Sequence, residues 1–240
     1  MFVIPMLGKS SRFFKSGYQI PKYKLPIGDS DLFSFSVSSF KEYFKTDRFV
    51  FIVRSDFSDM QYFEDSIVNL GIKNFSIKQH LGDTKGQAES VQLALESEDS
   101  LEELYIFNID TILFNFSKKN FTSNFDGYLE VFIGEGDHWS FILPEKGDNE
   151  NLVEKVVEKN RISNLCSNGL YYFKTTRIYL DALNKYKTKF LEDEGELYVA
   201  PLYQTLIDLK FDIRYKLIKK KDIGFCGVPS EYESFIKTVI

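Results

Sequence analysis

Cysteine is scarce. Cys166 and Cys226 are the only two in 240 residues and form no CxxC pair. They cannot build a four-ligand zinc site by themselves. A reduced protein in the cytoplasm is the expectation. Basic charge is not in excess: 30 Lys+Arg stand against 35 Asp+Glu, a net charge of −5. Nucleic-acid binders need a positive field, so no nucleic-acid partner is expected. Long apolar runs are missing too. None approaches the ~18 residues of a membrane span, so no membrane association is expected. The opening MFVIPMLGKSSRFF has no basic stretch ahead of an apolar one, and reads as a buried strand running into a loop, not as a signal peptide. No internal repeat and no Pro/Ser/Gly-rich linker divides the chain. One domain over 1–240 is the expectation, with a real core from its 43% hydrophobic residues. The abundant Phe and Tyr read as packing material.

Apolar runs alternate with helix-period segments, as βαβ units require. Residues 1–6 and RFVFIV at 48–53 are expected strands, as are about 73–79 and YIFNI at 105–109. Residues 7–30 read as irregular, broken by Gly8, Gly17, Pro21, Pro26 and Gly28. Phe33, Val37, Phe40 and Phe44 recur at helical spacing behind an Asp31 N-cap. Helices are expected over 57–70, closing at Gly71, and over 86–97. In the second half, 127–133, 138–144, 151–159 and 169–174 read as strands. Turns are expected at 134–137 and 147–149. Helices over 175–188 and 196–209, a strand over 211–219 and a helix from Ser230 complete the pattern. The fold class expected is α/β: a Rossmann-like, mixed, mostly parallel central sheet flanked by helices. In such open sheets ligands bind beyond the carboxyl ends of the strands, where the 7–30 loop and Asp110 both fall.

Small residues at Gly8, Ser10 and Ser11 let backbone amides approach a ligand, and phosphate oxygens suit them. Arg12 and Lys22 add charge, with Lys9 and Lys24 nearby. Three lookalikes fail. A P-loop needs glycine at position 3, which is Val3; a dinucleotide GxGxxG is absent; a GxSxG elbow needs glycine where Arg12 stands. A solvated basic loop is the competing reading.

The stretch IPMLGKSSRFFKSGYQIPKYKLPIG resembles the N-terminal signature of the NTP-dependent sugar-phosphate nucleotidyltransferases, the pyrophosphorylases. Their pattern, PxAGxGxRF followed by PKxLxPxxG, is matched at Pro5, Gly8, Arg12, Phe13, Pro21, Lys22, Leu25, Pro26 and Gly28. Leu7 replaces the usual alanine and Ser10 the second glycine. The resemblance implies a nucleotidyltransferase or GT-A-like fold in which about 1–115 serves the nucleotide and about 116–240 the acceptor. It implies an NTP and a phosphorylated small molecule as partners, and Mg²⁺ as cofactor. Arg12 would bind the departing phosphates, and Lys22 would stabilise charge at the α-phosphate. Leu7, Gly8, Ser10 and Ser11 would line the nucleotide.

Further segments extend the likeness. Thr84-Lys85-Gly86-Gln87-Ala88 resembles the family's base-contacting TxGQA, placing Thr84, Gly86 and Gln87 on the nucleotide. Asp110, at the end of an apolar strand, is a common position for a metal carboxylate in phosphate chemistry, and the family's acidic residue there holds Mg²⁺. Asp137 and His138 fall in the acceptor region. His138 has no second histidine nearby to make a metal pair. Glu158-Lys159 and the Asn168 segment resemble the family's EKP and NxGxYxF acceptor elements. Phe225–Tyr232 resembles its closing GTPxDL. A second metal carboxylate is not evident there, and Glu196 and Asp222 are the substitutes considered. The wording of NIDT, GEGDHWSF and RISNLCSNGLYYF is most similar to nucleotidyltransferases of capsular polysaccharide loci, which include CTP-dependent transferases to phosphoglutamine. CTP is therefore the favoured nucleotide, with UTP or dTTP as alternatives. A GT-A glycosyltransferase, with Asp29-Ser30-Asp31 as its DxD, and a binding module without turnover are the competing classes. Homo-oligomer formation is left open.

Overall fold

The computed structural model describes all residues except 57–58, 100, 120, 122–123, 148–150, 190–194 and 240. The class is α/β, with a mixed, mostly parallel central sheet flanked by helices. The chain divides into two compact units, each discontinuous in sequence. One comprises Phe2–Asp83, Phe107–Ser117 and Lys221–Ile240; the other comprises Met1, Thr84–Ile106 and Lys118–Lys220.

In the first unit the strands Phe2–Met6, Arg48–Arg54 and Asn74–His80 pair in parallel, Met6 opposite Val53 and Arg54 opposite His80. Val3, Ile4, Phe49, Val50 and Phe51 are fully buried, the continuous apolar run of a strand covered on both faces. The helix Met60–Leu70 begins where the Asp59 carboxylate accepts from Tyr62 N, and ends at left-handed Gly71. Asp31 caps the preceding helix as expected, accepting from Ser34 N at 2.8 Å.

That helix is shorter than its periodicity predicts. It runs over Leu32–Val37 and then tightens into a 3₁₀ segment, Ser38–Tyr43, with Phe40 at φ −110°, ψ 20°. The Ser38 hydroxyl donates back to Ser34 O, a bond that competes with regular helix. Leaving the helix delivers the Phe40 ring between Phe2, Phe107 and Phe116, at 4.6, 4.7 and 4.9 Å.

The segment 7–30 is not irregular throughout. It holds a short helix Ser11–Lys15, a 3₁₀ turn Lys22–Lys24 and a tiny hairpin, Pro26–Ile27 against Ser30–Asp31. Sequence punctuation showed the breaks but not the buried side chains that pin them. Phe13, Leu25, Ile27 and Leu32 share one apolar cluster with Ile112, Cys226, Tyr232 and Phe235. The strand expected over 105–109 ends at Phe107. A separate strand, Thr111–Leu113, pairs antiparallel with Ile223–Phe225, which the sequence did not reveal. Both strands are short, so neither has a readable period.

In the second unit Ser140–Pro144 pairs antiparallel with Val153–Glu158 and with Leu165–Phe173. Gly127–Ile133 lies antiparallel to Leu165–Phe173 and parallel to Ile213–Leu217. Leu165–Phe173 begins earlier than expected and carries a register shift between Ser167 and Tyr171, with Gly169 at φ 91°. The helices Gln87–Ala94, Thr176–Lys189 and Ala200–Asp208 belong to this unit. The last starts four residues later than its pattern suggests, because the Leu197 backbone is committed elsewhere, as described below. The expected turn at 147–149 lies partly outside the described residues. Among the described residues no helix is long and apolar enough to cross a membrane.

Phe40→Ala removes the ring from a site with no solvent exposure. It is expected to cost about 3–5 kcal/mol, read as a lower urea midpoint at unchanged slope; a loss below about 1 kcal/mol would contradict this packing account.

Candidate active site

The loop after the first strand is held from below by apolar side chains and from above by polar ones. Ser10 is nearly buried and left-handed, at φ 54°, ψ 26°. Serine at this position of the resembled pattern carries strain that glycine would not. Its hydroxyl accepts from Lys22 N at 3.0 Å, and its carbonyl accepts from Phe13 N and Phe14 N. Ser10 therefore ties the start of the loop to the PKxL segment. Lys22 Nζ then reaches Asp110 Oδ2 at 2.6 Å, both side chains about one fifth exposed (19% and 24%). Asp110 is fixed on its backbone side by Cys226 N, which donates to Asp110 O at 2.8 Å. Burial, with Asp110 and Glu231 nearby, pushes the Cys226 thiol up to about 12, so it is no nucleophile at neutral pH. Gly8, Ser11 and Arg12 are exposed, and the Arg12 guanidinium has no ion-pair or hydrogen-bond partner among the described residues.

Leu7 is buried and its carbonyl accepts from Arg54 Nη1 at 3.4 Å. The Arg54 side chain is 4% exposed and forks onto Asp56 and Asp83. Asp83 Oδ2 in turn receives Lys9 Nζ at 2.6 Å. Arg54 and Asp83 carried no motif and were missed by the sequence reading. The only signal was an arginine closing an otherwise apolar strand.

Glu231 was also missed. A Cβ built on Gly227 would stand 3.3 Å from Asp110 Oδ2 and 3.3 Å from Glu231 Oε2, so both carboxylates border one small space. Glu231 Oε2 accepts from Gly227 N and Val228 N. Glu196, considered earlier as a second metal carboxylate, accepts from the Tyr198 hydroxyl, and the backbone carbonyl of Asp222 accepts from Phe114 N. No group of three or more His, Cys, Asp or Glu side chains suited to a metal occurs among the described residues. Mg²⁺ does not require one, since it binds through one or two carboxylates with substrate phosphates completing its shell. The Asp110 carboxylate beside Glu231 fits that donor set. Asp31 does not fit a DxD metal role: its two oxygens accept from Ser34 N and the Tyr62 hydroxyl.

In the second unit the Thr84–Ala88 segment is bonded to the backbone of Leu197. Leu197 N donates to Lys85 O at 2.7 Å, and Ala88 N donates to Leu197 O at 2.9 Å. Gly86 permits this approach, since a Cβ there would lie 2.5 Å from Leu197 O. The Thr84 hydroxyl bonds Gly86 O and the Ser90 hydroxyl, closing the turn that starts the helix at Gln87.

The same unit holds the expected acceptor residues. Asp137 and His138 are exposed in the 134–139 bend. That bend is braced by Arg161, which donates to the carbonyls of Gly134 and Gly136, and by Trp139 Nε1 on Glu135 O. Glu158 accepts from the Ser140 hydroxyl, and burial raises its carboxyl above the usual range. Lys159 is left-handed at φ 52°; its ammonium meets the Tyr198 hydroxyl, which passes its own proton donation to Glu196. Asn168 is buried at the register shift, where it donates to Glu130 Oε2 at 2.9 Å and accepts from Leu170 N. Lys216 pairs with the same buried Glu130 at 2.7 Å.

The fold is that of a nucleotidyltransferase. No family model and no curated protein matches the sequence. Among solved structures, a nucleoside-diphosphate-sugar pyrophosphorylase from Vibrio cholerae is 44% identical, with a TM-score of 0.93 over 99% of this chain and 100% of that one. An inositol-1-phosphate CTP transferase from T. maritima (16% identity, TM-score 0.75, 99% and 94% covered) shares the fold. So does a UDP-glucose pyrophosphorylase complexed with UDP-glucose (16%, TM-score 0.73, 99% and 97%). The chain belongs to the NTP-dependent sugar-phosphate nucleotidyltransferase, or pyrophosphorylase, family.

The raised Glu158 carboxyl has a consequence for stability. Folding favours its neutral form, so the native state binds the extra proton and stability falls as pH rises from the ordinary carboxylate range through the raised value. Glu158→Gln removes that loss. Urea melts at pH 4 and pH 7 should show the variant gaining on the parent as pH increases; a pH-independent difference would refute the assignment.

Proposed function

We propose that the chain activates a phosphorylated acceptor with an NTP and releases pyrophosphate, acting as one nucleotidyltransferase domain in the cytoplasm. CTP is the favoured nucleotide and phosphoglutamine the favoured acceptor, in capsular polysaccharide biosynthesis. That preference rests on the wording of the NIDT, GEGDHWSF and RISNLCSNGLYYF segments. A UTP- or dTTP-dependent sugar-1-phosphate transferase is the alternative within the same class.

The observation that carries the reading is the Lys22 ammonium on the Asp110 carboxylate at 2.6 Å, beside a loop whose Arg12 has no side-chain partner among the described residues. In the reaction an oxygen of the acceptor phosphate attacks the α-phosphorus, and the bond to the β-phosphate oxygen breaks. Such chemistry depends on positioning and charge stabilisation more than on covalent help from the protein. Lys22 stabilises charge at the α-phosphate and the acceptor. Arg12 takes the departing β/γ phosphates with its planar fork. Leu7, Gly8, Ser10 and Ser11 present backbone to the nucleotide, and Thr84, Gly86 and Gln87 contact its base. Mg²⁺ bound through Asp110 supplies charge neutralisation on the phosphate oxygens. On the acceptor, Lys159 pairs with the phosphate and Glu158, Asp137 and His138 meet its polar groups, with Asn168 shaping the same region.

The test is pyrophosphate release with Mg²⁺, each NTP run against phosphorylated acceptors that include phosphoglutamine. Release needing CTP and one acceptor is expected. Lys22→Ala should lower it about 10²–10³-fold while leaving thermal unfolding unchanged. A folded variant of full activity would sink the assignment.

A further inference from the structure

Lys9 sits between Gly8 and Ser10, on the loop read above as the polyphosphate site. Its ammonium lies on Asp83 Oδ2 at 2.6 Å. Asp83 is not held by Lys9 alone. Its other oxygen, Oδ1, accepts from Arg54 Nη1 at 2.7 Å. The Arg54 guanidinium is buried and doubly bonded to Asp56, Nε to Oδ1 at 2.9 Å and Nη2 to Oδ2 at 2.5 Å, and also donates to Leu7 O. A buried, forked guanidinium has little freedom, so it aims the Asp83 carboxylate at the loop. The Lys9–Asp83 contact, by contrast, is open to solvent, with side chains 51% and 61% exposed.

We propose that Lys9 is a polyphosphate-binding residue, and that Asp83, aimed by Arg54, holds it in the unliganded chain until the anion displaces the carboxylate. The proposal rests on reading this loop as the NTP site. Three features favour the exchange. A solvent-exposed ion pair is weak and readily broken. A polyphosphate offers several charged oxygens against one carboxylate, so the lysine gains charge-assisted bonds on exchange. Asp83 keeps Arg54 when Lys9 leaves, so no buried charge is orphaned. Lys9 and Arg54 hold the Asp83 carboxyl below its usual range, so the carboxylate is charged and available at any working pH. Lys9 also borders a groove of about 640 Å³ with Ser11, Phe14, Lys15 and Pro21, within the size range of small-ligand sites. Arg54 is a positioning residue in this scheme: it touches the loop carbonyl and the carboxylate, not the anion.

Calorimetric titration of the full chain with inorganic tripolyphosphate, and separately with CTP, tests this. Lys9→Met should weaken tripolyphosphate binding about tenfold. Asp83→Asn keeps an acceptor for Arg54 and should tighten it about two- to fivefold. In the Lys9→Met background Asp83→Asn should have no effect, because the carboxylate acts through that lysine. Equal tightening with and without Lys9 would mean a general field effect and would overturn the proposal. So would Lys9→Met binding as tightly as the parent. A parent chain that binds neither tripolyphosphate nor CTP would overturn the loop reading itself, a different failure. Lys9 is exposed, so its variant folds, and thermal unfolding of the Asp83 variant checks that Arg54 stays satisfied.

Discussion

Lys22 and Asp110 are 88 residues apart in sequence, and their contact exists because one apolar cluster holds both segments. Phe13, Leu25, Ile27 and Leu32 anchor the loop; Ile112 anchors the strand after Asp110; Cys226, Tyr232 and Phe235 come from the end of the chain. Without that burial the loop would be a solvated basic excursion. With it, backbone that looks irregular is held to a single path, and a left-handed serine is kept in place to serve the next turn. Residues in such sparsely populated conformations persist only where their surroundings over-determine them.

Charge in this unit is arranged in two tiers. Arg54 is buried and multiply bonded, and it secures Leu7 and Asp83. The loop cations, Lys9, Arg12 and Lys22, are partly or wholly open to solvent. A half-exposed ion pair contributes little to stability. The value of the outer tier lies in presenting cations whose replacement partners are anions of a substrate. The second unit repeats the logic with different parts. Its buried Glu130 pairs with the half-buried Lys216 and bonds Asn168, while Lys159 is presented at a strained strand end against Tyr198.

The strands Arg48–Arg54 and Asn74–His80, the Asp31 cap and the Gly71 stop were legible because each follows from local rules. The pairing of Lys22 with Asp110 was legible only as two residues with related roles in a resembled family. The break at Ser38 was not, since Phe40 leaves the helix for partners at positions 2, 107 and 116. Ala200 as a helix start was not legible either, because Leu197 is drawn away by Lys85 and Ala88. The bond of Asn168 to buried Glu130 was not legible, because that partner lies on a neighbouring strand that spacing cannot reveal.

By itself the sequence determined the α/β class, most of the elements and the loop that carries Arg12 and Lys22, because period, breakers and a spaced motif are written along the chain. Tertiary structure alone decided which carboxylates these cations meet. Arg54, Asp83 and Glu231 belong to no local pattern; their places follow from strands and turns brought together by burial. Side-chain chemistry is local, but the field in which it acts is made by neighbours far away in sequence.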